Sequence, residues 1–395
     1  MKKILYITTS YTLKNSSAAI RNNGLVKGLV SFGNIVDVYT VQWPKDMTSD
    51  FLYQEKNGNI IMQELPRLKI IASMKAVSRS KSNSSFITKS KSVVKSLLFF
   101  PDTTSQWIKL FPYSQIDIST YDVMITSSDH KTAHLIGNKL KRRYPSLKWL
   151  QIWGDPWSSD VNTPFILKKL AAHYEKLMLH NADGVIYVSR PTMNYISEKY
   201  PQFKSKLHYV PRSYYFDSLN FVPVTDGKLR IVYTGVISFG RNVMPFIEAI
   251  NKYPELHSKV LFDIYGTYNS EIQSMLDNFC FVNQKGSVDF EEMSKVYASA
   301  SLLVYLSNKK GSSQIPGKLY DYFGTSSPIL CLVEDENDQT SMFLKQFNRC
   351  IVIHNDIDSI LKKINVIIDC LNCRFEPEMS YSPYSIAKQI MDVVE

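Results

Sequence analysis

The chain has 395 residues, 44% of them apolar and 12% aromatic, with a formal net charge of +10. That length and composition supply two globular cores and exclude a disordered chain. The five scattered cysteines, Cys280, Cys331, Cys350, Cys370 and Cys373, exclude a disulfide scaffold, and no apolar run approaches the roughly 18 residues of a membrane span. A lone Cys370-x-x-Cys373 lacks the second pair or histidines that zinc requires. Met1-Lys2-Lys3 is followed by an apolar run, Ile4 to Ile7, too short for a secretory signal and without a cleavage site. A cytoplasmic protein is expected.

In chain order, residues 3–9 read as a strand, 18–31 as a helix and 35–40 as a second strand. That is a βαβ unit with parallel strands. The alternation pauses over 67–100, where eight Lys or Arg occur without an acid. This stretch reads as a loop or as loosely amphipathic helices, and its local field points to an anionic partner. Strands at 121–127, 147–153, 184–189 and 207–210 then alternate with helices at 130–144, 165–181 and 192–199. Residues 211–228, with two prolines and Asp226-Gly227, read as a linker. Strands at 229–234, 260–266, 281–285, 302–306 and 329–333 follow. Helices at 242–252, 270–278 and 290–298 separate them, and another opens at 318–323.

This order predicts an α/β protein of two Rossmann-like, doubly wound domains: an N-terminal one over 1–210 and a C-terminal one over 229–375. A last helix in 376–395 is expected to return to the first domain. Such sheets bind ligands at the carboxyl ends of their strands, so the site is expected in a cleft that the two domains face.

Neither domain opens with a Gly-x-Gly-x-x-Gly turn, which weighs against a dehydrogenase. The first turn holds Ser16, Ser17 and Arg21. Its small residues admit a ligand, and a plain helix cap from Ser16 or Ser17 explains them equally well. In the second domain Tyr233-Thr234-Gly235 ends a strand, and Arg241 stands near the next helix start. Helix amides plus a guanidinium form a cradle for a diphosphate. The segment Gln314-Ile315-Pro316-Gly317-Lys318-Leu319-Tyr320-Asp321-Tyr322 puts Lys318 on a helix's first turn, where a cation calls for an anion. Asp321, one turn on, fits the hydroxyls of a ribose; the alternative is a surface ion pair with Lys318.

These segments, in this order, resemble the retaining glycosyltransferases of the GT-B fold, in glycosyltransferase family four. The resemblance makes Gly235, Arg241 and Lys318 the diphosphate site and Asp321 the ribose site. It places Tyr265 and Gly266 of Asp263-Ile264-Tyr265-Gly266, then Ser287 and Val288, then Pro316 and Gly317, around the donor's base and sugar. Three departures stand out. Asp321 replaces the usual glutamate, Ser312 and Ser313 stand where an earlier glutamate is expected, and Ser326 replaces a glycine. The N-terminal half is similar to a subgroup of cell-surface polysaccharide synthesis. It matches through Ser127-Ser128-Asp129-His130-Lys131-Thr132-Ala133-His134, through Trp153-Gly154-Asp155-Pro156-Trp157, and through Pro101-Asp102 with Trp107. One of His130 and His134, four residues apart on an expected helix start, is a candidate to bond the sugar or the acceptor. Asp155 is expected either to bind the acceptor or to cap the turn before Trp157.

The resemblance implies transfer of a sugar, with retention, from a nucleoside-diphosphate sugar to a glycan acceptor, expected to be lipid-linked. It implies no cofactor beyond that substrate, a UDP-sugar being favoured, and no metal, since no Asp-x-Asp is positioned as a clamp. The basic stretch 67–100, with its interleaved apolar residues, is expected to rest on an anionic membrane surface, making the protein peripheral there. A nucleic-acid partner is not expected, because only Phe86, Phe99 and Phe100 are available for base stacking in that stretch. The competing readings are an epimerase of sugar nucleotides and a non-catalytic sugar-nucleotide-binding subunit.

Overall fold

The computed structural model describes residues 1–14, 16–48, 57–68, 99–160, 163–216, 220–238, 241–307 and 315–395. It comprises two compact units, Met1–Ser213 with Pro383–Glu395, and Tyr214–Ser382.

The first unit is built on seven strands among the described residues: β1 (Lys3–Thr8), β2 (Ile35–Gln42), β3 (Ile60–Glu64), β4 (Val123–Ser128), β5 (Lys148–Trp153), β6 (Gly184–Tyr187) and β7 (Leu207–Tyr209). They form one sheet in the order β3-β2-β1-β4-β5-β6-β7. Every neighbouring pair is parallel. Helices α1 (Ser17–Ser31), α2 (Trp107–Leu110), α3 (Thr132–Arg143), α4 (Lys168–Asn181) and α5 (Arg190–Lys199) accompany them. Alternation along β1 explains why both faces are covered. Leu5 and Ile7 enter the core that holds Ile136, Leu140 and Met178, while Ile4 and Tyr6 enter the one that holds Leu25 and Leu29.

The second unit repeats the plan. Strands β8 (Leu229–Thr234), β9 (Val260–Tyr265), β10 (Val282–Gly286), β11 (Leu302–Leu306), β12 (Ile329–Val333) and β13 (Cys350–His354) form a parallel sheet in the order β10-β9-β8-β11-β12-β13. Its helices are α6 (Met244–Asn251), α7 (Pro254–His257), α8 (Ser270–Leu276), α9 (Phe290–Ser299), α10 (Gly317–Phe323), α11 (Gln339–Leu344), α12 (Ile357–Lys362) and α13 (Ile364–Cys370). The winding direction reverses between β1 and β4 in one sheet and between β8 and β11 in the other. Those are the switch points where open sheets bind ligands.

The last helix, α14 (Pro383–Val394), packs on α1. Gly28 makes this possible: a Cβ there would lie 2.0 Å from the Pro383 carbonyl oxygen. Part of the segment read as a linker is anchored in the second unit. The Tyr214 ring lies against Gly324, and the Phe216 ring stacks on Phe290 with centres 4.8 Å apart. Residues 69–98, the bulk of the basic stretch, lie outside the described residues, as do Asn15, Ser312, Ser313 and Gln314. Among the described residues no helix is long and apolar enough to cross a membrane.

Candidate functional site

In the second unit the carboxyl ends of β8, β9 and β10 are joined by backbone alone. The Gly235 amide donates to the Tyr265 carbonyl at 2.7 Å, and the Gly266 amide to the Gly286 carbonyl at 2.8 Å. Gly266 has φ 156°, and a Cβ on it would lie 1.9 Å from the Gly235 carbonyl oxygen, so only glycine fits. The two glycines leave these positions of the edge without side chains.

Over that edge folds the Lys318 ammonium. It donates to the Thr234 carbonyl at 2.5 Å, lies 4.2 Å from the centre of the Tyr233 ring, and would stand 3.0 Å from a Cβ on Gly235. Burial, with the positive charge of Arg241 adding to it, brings its pKa down to about 7. Arg241 sits in a tight turn, its amide bonded to the Ser238 carbonyl, three residues before α6. The structure thus brings Gly235, Gly266, Lys318 and the field of Arg241 to one place. Pro316 caps α10 and Gly317 opens it. Tyr322, on the same helix, bonds Thr234 Oγ1 at 2.9 Å and fixes α10 against β8.

Asp321 is only 5% exposed. That is too little exposure for a surface ion pair, and Lys318 bonds the Thr234 carbonyl instead. Tyr265 ends β9, and burial raises its phenol. Ser287 is exposed just beyond β10, while Val288 packs with Phe290 against the core.

At the carboxyl edge of the first unit, side chains take the place of bare backbone. Ser16 Oγ accepts from the Ala19 amide and is the cap of α1, and Ser17 Oγ accepts from Arg212 Nη1 at 3.1 Å. Of the two readings left open for Ser16, the cap is the one observed. Asn22 ties α1 to two strands: it accepts from Tyr6 and Ser127 hydroxyls and donates to Thr8 Oγ1 and the Ser10 carbonyl. Nothing in a helical stretch singles out such an asparagine unless its place on the apolar face is noticed. Arg21, one residue before it, reaches Ser127 Oγ and the Ser128 carbonyl, each at 3.5 Å.

His130 and His134 do not share a helical face, because α3 begins only at Thr132. His130 sits in the preceding bend, Nδ1 3.2 Å from Thr9 Oγ1. His134 is 0% exposed, its ring centre 4.4 Å from that of Trp153. Its Nδ1 meets Thr126 Oγ1 at 2.7 Å, and that oxygen already accepts from Trp149 Nε1. Nε2, on the other side of the ring, is buried with no partner among the described residues. Burial, with Lys131 and Arg21 charges adding, pushes the His134 pKa well down, so the ring is neutral. His134 is a wall of the core, and His130 is the one with access to solvent. The start of α3 is held by Asp102, whose carboxylate accepts from the Thr132 amide at 2.9 Å and its hydroxyl at 2.8 Å.

The expected cap role of Asp155 is filled by another residue. The Trp157 and Ser158 amides donate to Glu175 Oε1 at 2.7 and 3.3 Å. Glu175 Oε2 accepts from Ser158 Oγ, Lys199 and Tyr200. Burial alone would raise this carboxyl, but the Ser158 bond, the Lys199 charge and the Trp157 amide outweigh it and hold the pKa down. Asp155 is left with a carboxyl that burial pushes up against the charge of Lys131, and its backbone carbonyl accepts from Lys131 Nζ at 3.1 Å.

No protein-family model matches the sequence, and no curated protein matches it significantly. Solved structures do match. One from Listeria monocytogenes, described as a UDP-N-acetylglucosamine 2-epimerase, superposes with a TM-score of 0.62 at 11% identity, over 99% of this chain and 95% of that one. The lipopolysaccharide outer core galactosyltransferase WaaB gives 0.54 at 12%, over 99% of each chain. HepE of Anabaena, in complex with UDP and glucose, gives 0.54 at 12%, over 100% of this chain and 96% of HepE. The fold is GT-B. At these identities the likeness is one of fold, and the residues must carry the chemistry.

Proposed function

We propose that the protein is a glycosyltransferase that moves a sugar, with retention of configuration, from a nucleoside-diphosphate sugar to a glycan acceptor. One observation carries this reading. A partly buried lysine, with its pKa brought down to about 7, is held over the glycine-lined ends of β8 and β9. A cation placed so calls for an anion, and a diphosphate fits the open edge.

In the reaction the bond from the sugar's anomeric carbon to the diphosphate oxygen breaks, and its electron pair leaves on that oxygen. A new bond forms from that carbon to the acceptor oxygen, whose proton passes to the departing diphosphate. Lys318 and Arg241 offset the charge on the departing diphosphate with donors already in place. Asp321 holds the ribose, Ser287 and Val288 flank the base, and a UDP-sugar is the favoured donor. His130 and Asp155, in the first unit, serve the acceptor. The acceptor is lipid-linked, and segment 67–100 rests on the anionic leaflet that carries it. The setting is synthesis of a bacterial surface polysaccharide.

The test incubates the protein with labelled UDP-sugars and polyisoprenyl-phosphate-linked saccharides, with and without EDTA. Label passing to the lipid fraction, unchanged by EDTA, is expected. A metal requirement restored by manganese would contradict the metal-free part of the reading. Conversion of the free sugar nucleotide to its epimer, without transfer, would favour the epimerase that one structural neighbour is described as. Co-sedimentation with anionic liposomes that falls at high salt is the expected membrane result; a protein that stays in the supernatant at low salt would remove that part.

A further inference from the structure

Two cations at the carboxyl edge of the first unit have no carboxylate partner among the described residues. Among the described residues half-buried Arg21 makes two hydrogen bonds, each at 3.5 Å, and its buried Nε has no partner. Lys131 is 8% exposed, and its ammonium has one carbonyl, that of Asp155, and the Trp153 ring at 5.0 Å. Buried guanidinium and ammonium groups are normally paired, because taking a charge out of water without a partner costs several kcal/mol. Burial disfavours the charged form of both, and the fields of Asp129 and Asp155 only partly offset it.

Arg21 and Lys131 flank the same spot. A Cβ on Gly154 would come within 2.8 Å of Arg21 Nη1, and Lys131 bonds the next residue's carbonyl. Ser128 Oγ, at the end of β4, is likewise buried without a partner. Two incompletely satisfied cations and an unused hydroxyl meet where β1, β4 and β5 end, beside the sheet's switch point. That set is complementary to a compact oxyanion, which accepts the guanidinium fork, an ammonium and a hydroxyl together.

We propose that the first unit binds an anionic group of the acceptor, a phosphate or a carboxylate, between Arg21 and Lys131. The assignment to the acceptor rests on the transferase reading; the anion site itself does not. It defines the substrate class as an acidic acceptor and gives Arg21 a role the cap of α1 does not use.

The test is thermal shift of the full chain with inorganic phosphate, acetate and UDP, each at constant ionic strength. It compares wild type with Arg21→Gln, Arg21→Lys, Lys131→Met and Lys318→Ala. Phosphate, acetate or both are expected to stabilise wild type and Lys318→Ala. The apparent affinity is expected to fall about tenfold or more in Arg21→Gln and Lys131→Met, as for loss of a charge-assisted bond, and less in Arg21→Lys. UDP affinity is expected to fall about tenfold or more in Lys318→Ala and to stay close to wild type in Arg21→Gln. An anion response unchanged by Arg21→Gln and Lys131→Met, or abolished by Lys318→Ala, overturns the site. A loss of UDP affinity in Arg21→Gln equal to the loss for phosphate assigns the anion to the donor's diphosphate and overturns the acceptor. If UDP stabilises none of the proteins, the donor reading fails on its own, and the phosphate and acetate arms still decide this site.

Discussion

The two sheets share one order over six strands, to which the first adds β7, yet their carboxyl edges are made of different material. In the second unit the edge is backbone, with Gly235 and Gly266 donating to neighbouring strands and a single lysine arriving from α10. In the first unit it is side chains, with Asn22, Arg21 and Ser127 in one bonded set and Lys131 and Glu175 holding the segment after β5. A bare edge suits a group common to every nucleotide sugar, which needs space and a cation. A side-chain edge suits a particular acceptor, whose recognition must be spelled out residue by residue. On the proposed reading the same fold supports a generic site and a specific one, and each should fail differently when altered.

The largest loss of stability is expected from the side-chain edge. Glu175→Ala removes a buried carboxylate that holds two amides, two hydroxyls and an ammonium, and should cost about 3–5 kcal/mol in urea unfolding. A cost under about 1 kcal/mol would place this network with ordinary surface pairs. On the backbone edge, Gly266→Ala should cost about 2–3 kcal/mol, because its Cβ meets the Gly235 carbonyl at 1.9 Å. Gly286→Ala, also at positive φ but with open space around its Cβ, should cost only about 1 kcal/mol. Equal costs for the two glycines would mean that close strand approach does not shape this edge.

Lys318→Ala should weaken UDP binding about tenfold or more, the worth of a charged hydrogen bond. The apo protein should not lose stability, since a partly buried ammonium is removed. The pH dependence follows from the same group. Its pKa is about 7 when free, and a bound diphosphate raises it. Binding above pH 7 must then take up a proton, and affinity falls as pH rises from 7 towards the bound value. Titration calorimetry in buffers of different ionisation enthalpy reads the uptake directly; no uptake at pH 8 would separate Lys318 from the phosphate. The smallest effect is expected from Asp321→Asn, which keeps volume and removes charge. It should lower UDP affinity by about three- to tenfold, and equal affinity would remove Asp321 from the ribose site.

Much of the second unit was legible in the sequence because glycine and proline punctuate it. Tyr233-Thr234-Gly235, Asp263-Ile264-Tyr265-Gly266 and Ile315-Pro316-Gly317-Lys318 each mark a strand end or helix start by what they lack. The edge strands β3 and β13 were not anticipated. Ile60-Ile61-Met62-Gln63-Glu64 is short and half-exposed, and Cys350-Ile351-Val352-Ile353-His354 gives no turn signal to isolate it. The helical pairing of His130 and His134 failed because the chain bends at His130 before α3 starts, and spacing alone does not reveal a bend. Glu175 escaped notice because its partners, Trp157, Ser158, Lys199 and Tyr200, are distant in sequence. Side-chain networks across a sheet edge leave no local pattern, which is why the specific site was harder to read than the generic one.

The central claim is that the nucleotide sits on the bare edge of the second unit. Hydrogen–deuterium exchange with and without saturating UDP tests it most directly. Protection is expected in peptides covering Thr234 to Ile237, Tyr265 to Thr267 and Gly317 to Tyr322, and it should vanish in Lys318→Ala. UDP protection confined to residues of the first unit, or protection in those three segments that survives Lys318→Ala unchanged, would contradict the account.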